Sequence, residues 1–327
     1  MKKTLVAATG VSLAATLAWA VSGGSVNFPD LAPNATIDAI YPSCDASTSG
    51  GIKTVTPPAP GTDCNIQPDV QTVSIYRLAL CASKPDAPTP STEGLLASCE
   101  VIFNSTSDTG SSADIALNAV TALTDGTMSK PANGTYTHLY VEIDPEVRIK
   151  TSVKFSEDMA DSNGGTQGVY CWSKTVSTFV FAMNNQGELP PATECAAAPP
   201  EASSVSATSI YYNSLKDDSQ ASGTGFVNTI TNLPTTAGGP ETLDAYLIDA
   251  AGKLVETQTV NSIGTVKRVA AILTLPNPGV VVTDATSSFV LGYNNSKGSQ
   301  ISTQSGATPS RVSKFGNGPF DMTVAVQ

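Results

Sequence analysis

Apolar and polar residues trade places one by one through Gly134–Phe155, and this stretch sets the reading of the whole chain. Leu139, Val141 and Ile143 fall on one side, with Tyr136, His138, Tyr140 and Glu142 on the other, the period of two that defines a half-buried strand. Asp144-Pro145-Glu146 has the composition of a type I turn with proline at its second position. Beyond it Val147, Ile149, Val153 and Phe155 alternate with Arg148, Lys150, Ser152 and Lys154. The pattern predicts a hairpin with one apolar and one wet face, lying in an antiparallel sheet that packs on a core from one side.

Similar signals recur along the chain. Val70–Leu80 is expected as a strand with Val73, Ile75 and Leu78 buried, and Cys99–Phe103 as its return. Asp114–Leu123 reads as a short strand or a helical turn. Val169–Trp172 and Val176–Met183 follow as strands, with Trp172 as a core plug beside a disulfide. Residues 21–68, dense in Gly and Pro, are expected to form an extended arm and loop. The Pro-rich stretch 199–207 reads as a linker between a disulfide-bonded unit, 69–198, and a cysteine-free unit, 208–327. In the second unit strands are expected at Ser209–Tyr212, Gly225–Ile230, Leu243–Ile248, Leu254–Val260, Thr265–Leu275, Val280–Val282, Phe289–Tyr293 and Phe320–Val326. Asp249-Ala250-Ala251-Gly252 is the turn within one hairpin. No long helical period appears. The predicted fold class is all-β: two tandem antiparallel β-sandwiches.

Asp114-Ile115-Ala116-Leu117, followed by Lys130-Pro131-Ala132-Asn133-Gly134-Thr135-Tyr136-Thr137, resembles a pattern of exported bacterial surface domains. In those domains an Asp-Leu-bearing strand precedes a Pro-x-Gly-x-Tyr strand. The resemblance covers about 80 residues, implies a transthyretin-like or immunoglobulin-like sandwich, and transfers no catalytic residue.

The N-terminus changes the picture of where the protein works. Lys2 and Lys3, the apolar run Leu5–Leu17 and Ala18-Trp19-Ala20 form a secretory signal, with residues 1–20 removed and Val21 as the mature start. The apolar run falls short of the roughly 20 residues that span a bilayer. A retained, pilin-like anchor is the alternative. Removing the two lysines deepens the net charge from −11 to −13, concentrated before residue 201, so phosphate backbones are repelled and nucleic acid is excluded as a partner. At 40% hydrophobic the chain is too apolar for wholesale disorder. Cys44, Cys64, Cys81, Cys99, Cys171 and Cys195 are even in number and lack Cys-x-x-Cys spacing, which predicts disulfides rather than a metal. Roughly 15 pairings are open. Pairing of neighbours, Cys44–Cys64, Cys81–Cys99 and Cys171–Cys195, would close one Gly-, Pro- or Ser-rich loop each.

Candidate chemistry is sparse. His138 is the only histidine, which excludes a His-rich metal centre within one chain. Asp108-Thr109-Gly110-Ser111 matches the signature of pepsin-like proteases, but the mechanism needs a second such carboxylate, and none exists in the chain. Glu157, Asp158, Asp161 and Asn163, ahead of Gly164-Gly165, make an oxygen-rich loop able to hold calcium. Tyr136, His138 and Tyr140, with Tyr211-Tyr212 elsewhere, could form a platform on which sugars stack. No other cofactor is implied, and no catalytic residue is assigned. The expectation is a non-enzymatic extracellular or cell-surface protein, the subunit of a pilus-like filament or an adhesive module. It would associate through the arm Val21–Pro42 or the strand Phe320–Val326. A carbohydrate- or calcium-binding module is the alternative.

Overall fold

The computed structural model describes residues 19–23, 41–94, 96–116, 120–175, 180–181, 193–211, 215, 227–234, 241–255, 265–304, 306–318 and 321–326. Among these the chain forms strands and no helix. They are gathered into sheets of eleven, eight, four and two strands.

The eleven-stranded sheet is built on Val70–Cys81, long enough to hold two partners on each edge. Cys99–Ser105 and Ser111–Ala116 lie along one edge, His138–Ile143 and Glu146–Lys150 along the other. The predicted hairpin at Asp144-Pro145-Glu146 is therefore corrected. Both halves run antiparallel to the same strand, so the segment is one long strand with an outward bulge. At the bulge Asp144 N–H donates to Ser74 O at 2.8 Å, and Glu146 N–H donates to the Asp144 carboxylate at 2.7 Å. Proline is tolerated there because a bulged residue has no ladder bond to lose.

The second break comes at Thr151. Glu146–Lys150 belongs to the eleven-stranded sheet and Ser152–Ala160 to the eight-stranded one. Fully buried Thr151 forms the corner between them: its N–H donates to Ser173 Oγ at 3.0 Å, and its hydroxyl donates to Ser299 Oγ at 2.9 Å. The apolar positions divide accordingly. Leu139, Val141, Ile143, Val147 and Ile149 enter the main core, whereas Val153 and Phe155 enter a second core with Ile301, Val312 and Phe315.

Strands on the two sides of 199–207 pair with one another in both large sheets. His138–Ile143 pairs with Arg268–Thr274, Glu146–Lys150 with Thr208–Tyr211, and Asp63–Ile66 with Ser299–Gln304. The sheets thus run across the expected linker rather than stopping at it. The expected arm and loop, 21–68, also carries strands: Ala46–Ser49, Ile52–Val55 and Asp63–Ile66 all join the eight-stranded sheet. Ser299–Gln304 and Arg311–Asn317 are further strands that the hydrophobic pattern does not announce. The expected strand Val176–Met183 lies mostly outside the described residues; Val180–Phe181 pairs parallel to Ile210–Tyr211.

All three disulfides join neighbours in sequence: Cys44–Cys64, Cys81–Cys99 and Cys171–Cys195. The last two link residues directly opposite one another on adjacent strands. No helix among the described residues is long and apolar enough to cross a membrane.

Candidate functional site

The outer face of the eleven-stranded sheet, expected to be wet, is buried and polar at once. The ladder sets Tyr246, Ala270, Glu142 and Arg77 side by side on four adjacent strands, with Asp244, Ile272, Tyr140 and Ala79 on the next row. Leu96 and Leu254 pack over this face, around Cys81, Tyr140, Tyr246 and Ile272. Glu142 is its electrostatic centre, with a side chain only 3% exposed. Arg77 Nη1 lies 3.1 Å from Oε1 and Arg268 Nη1 2.7 Å from Oε2, while the Tyr140 hydroxyl donates to Oε1 at 2.7 Å. A carboxylate withdrawn from water costs several kcal/mol unless paired, and two guanidiniums plus a hydroxyl saturate this one. Burial, and then the Glu142 charge, push the Tyr140 hydroxyl far above its ordinary value.

A bulge on the central strand completes the arrangement. Glu142 faces Arg77 but Ile143 faces Ile75, so Tyr76 is the extra residue and points outward together with Arg77. The Tyr76 ring lies under the Arg268 guanidinium at 4.5 Å, and its hydroxyl donates to Asp144 Oδ2 at 2.8 Å.

A second buried carboxylate, Asp244, sits one row along. Lys84 Nζ approaches Oδ2 at 2.6 Å, the Tyr246 hydroxyl donates to the same oxygen at 3.1 Å, and Asn232 N–H donates to Oδ1 at 2.7 Å. His138 lies opposite Cys81, half-buried, with Nδ1 2.9 Å from the Thr137 hydroxyl. Burial, and then Lys84, hold its pKa below the ordinary value, against a smaller opposing pull from Asp244. Burial and Lys84 both disfavour the protonated imidazole.

The structure separates the predicted sugar platform. Tyr140 is covered within the ion network. Tyr136 is buried in the main core on a different, two-stranded sheet, its hydroxyl donating to Ala132 O at 2.8 Å. Tyr212 lies outside the described residues. Of the calcium-loop residues, Glu157, Asp158 and Asn163 are exposed, and Asp161 is buried. Its carboxylate accepts N–H bonds from Asn163, Gly165 and Thr166 at 2.7–3.0 Å and the Thr166 hydroxyl at 2.7 Å. Burial alone would raise its pKa; these donors outweigh it and the net shift is downward. That carboxylate is committed to folding its own loop. No group of three or more His, Cys, Asp or Glu side chains positioned for a metal occurs among the described residues. In the protease-like motif Asp108 is exposed, and Gly110 has φ +74° with Ile75 O only 3.2 Å from where a Cβ would stand. Glycine there serves a tight turn.

Arg77, Arg268, Lys84 and Asp244 were not foreseen as parts of one cluster. Each lies on a different strand or loop, and only the three-dimensional register brings them together. The remaining distinctive feature is the strand Trp19–Gly23. It lies between Phe289–Asn294, to which it runs parallel, and Val120–Ala122, to which it runs antiparallel. The order of the four-stranded sheet is Asp321–Val326, Phe289–Asn294, Trp19–Gly23, Val120–Ala122.

What these features define is an all-strand, disulfide-bonded protein. No protein-family model matches the chain, and neither a curated protein nor a solved structure is significantly similar to it.

Proposed function

We propose that the chain is an extracellular or cell-surface structural protein, the subunit of a filament or an adhesive module. The observation that carries this reading is how its reactive groups are used. Glu142, Asp244 and Asp161 are each saturated by partners on other strands or within their own loop. Side chains that elsewhere perform chemistry here hold strands together. Three disulfides support an oxidising compartment. In this reading a signal sequence ends at Ala20, the mature chain begins at Val21, and the sheets that share the main core form a β-sandwich. Self-association runs through the N-terminal arm or the C-terminal strand.

Electron microscopy of the purified mature protein tests the reading. Filaments or ordered oligomers are expected. A monodisperse monomer that binds a glycan array, or that releases heat on titration with calcium, would contradict it.

A further inference from the structure

We infer that the place between Phe289–Asn294 and Val120–Ala122 is a docking slot for the N-terminal strand of a second copy of this chain. The inference rests on the structural role proposed above and states how one copy joins the next.

The slot has a built floor and two ready edges. Phe289, Leu291 and Tyr293 are at most 1% exposed and belong to the main core, together with Leu123 and Met322. Among the described residues, Trp19–Gly23 is the one strand that joins the strands on its two sides within this sheet. Without it the sheet separates into the pair Phe289–Asn294 and Asp321–Val326 and an isolated three-residue strand, leaving ladder groups bare on both edges.

The pairing itself is unusual for this molecule. Five residues of Trp19–Gly23, of which Val21–Gly23 remain after cleavage at Ala20, run parallel to Phe289–Asn294, whereas the other parallel ladders among the described residues join one or two residue pairs. Parallel pairing within one chain requires a crossover; pairing with another chain's end does not. Residues 24–40 separate this strand from the next described segment. Fully extended, such a tether reaches on the order of 55–60 Å, enough to cross to a neighbouring copy. Trp19–Gly23 contains no cysteine and no ionisable side chain, so neither a disulfide nor a salt bridge can fix it, and neither large sheet includes it. The strand can therefore leave its own body while the rest stays joined. Exchange of an identical element between copies preserves every contact and changes only which chain supplies it.

Ser22 stands opposite Val120 in the antiparallel ladder and survives cleavage after Ala20, so it reports on the slot in either form of the chain. Full-length copies carrying only S22C are mixed with equal amounts of copies carrying only V120C, allowed to assemble, oxidised and digested. A peptide joining residue 22 of one copy to residue 120 of another is expected in the assembled fraction. The doubly substituted chain, run alone at high dilution, shows the linkage formed within one chain. Ser22→Pro supplies a second reading that does not depend on added thiols, since proline cannot donate to an inner ladder; at least a tenfold loss of assembly is expected, with the circular dichroism of the folded chain unchanged. Filaments whose 22–120 linkage forms only within single chains, or Ser22→Pro filaments as abundant as those of the parent, would overturn the slot and spare the structural role. Linkage within single chains together with no assembly at all would overturn both.

Discussion

Val70–Cys81 and Phe289–Asn294 are both inner strands with a neighbour on each edge, yet they are held in opposite ways. The first is clipped to Cys99–Ser105 by Cys81–Cys99, and tied to His138–Ile143 and Arg268–Thr274 by Arg77, Glu142 and Arg268. The second receives one neighbour from the N-terminal end of the chain, beyond a stretch of 17 residues, 24–40. The contrast teaches that packing against a common core does not make two strands equally permanent. Cross-links and saturated charges fix a strand among its neighbours; a neighbour supplied by the end of the chain is one that can be exchanged.

The largest effect expected at the fixed strand comes from Glu142→Ala. It leaves two guanidiniums and the Tyr140 hydroxyl facing a largely covered gap, and a loss of about 3–5 kcal/mol in urea unfolding is expected. The arginines keep about 30% of their side-chain surface exposed, so the lower end of that range is the better guide. A loss under about 1 kcal/mol would show the network to be ornamental. Replacing Cys81 and Cys99 together by alanine opens a loop of 18 residues, and a loss of about 3 kcal/mol is expected. In both variants assembly through the N-terminal strand should persist at temperatures where the variant remains folded, because neither change touches the slot.

The smallest effect concerns His138. Its pKa is lower in the folded chain than the ordinary 6.5, so the unfolded chain binds the proton more readily. Stability is full above about pH 6.5 and declines as the pH falls from there toward the folded value. Titration of the imidazole by NMR should give a midpoint below 6.5. A midpoint at or above 6.5 would mean that burial and Lys84 do not disfavour the protonated imidazole.

Part of this was legible in the residues alone. The alternation of Leu139, Val141 and Ile143 marked the core face, since a period of two has only one way to put three apolar side chains on one side. Neighbouring cysteines paired because each closes a short loop between strands. Asp144-Pro145-Glu146 suits a turn and a bulge equally well, and the choice depends on what lies across the ladder, here the single strand Val70–Cys81. Ser299–Gln304 stayed hidden because Ser299, Ser302 and Thr303 are buried polar residues, which leaves no apolar alternation to read. The ion network was out of reach for a related reason. Glu142 and Arg268 are 126 positions apart, and nothing local to either announces the other.

Hydrogen exchange on the full chain and on a variant lacking residues 1–23 tests the central contrast most directly. In the variant, the amides of Phe289–Asn294 that face Trp19–Gly23 should lose protection by several orders of magnitude, while those of Val70–Cys81 exchange as slowly as before. Unchanged protection at Phe289–Asn294, or its collapse along both strands together, would contradict the account.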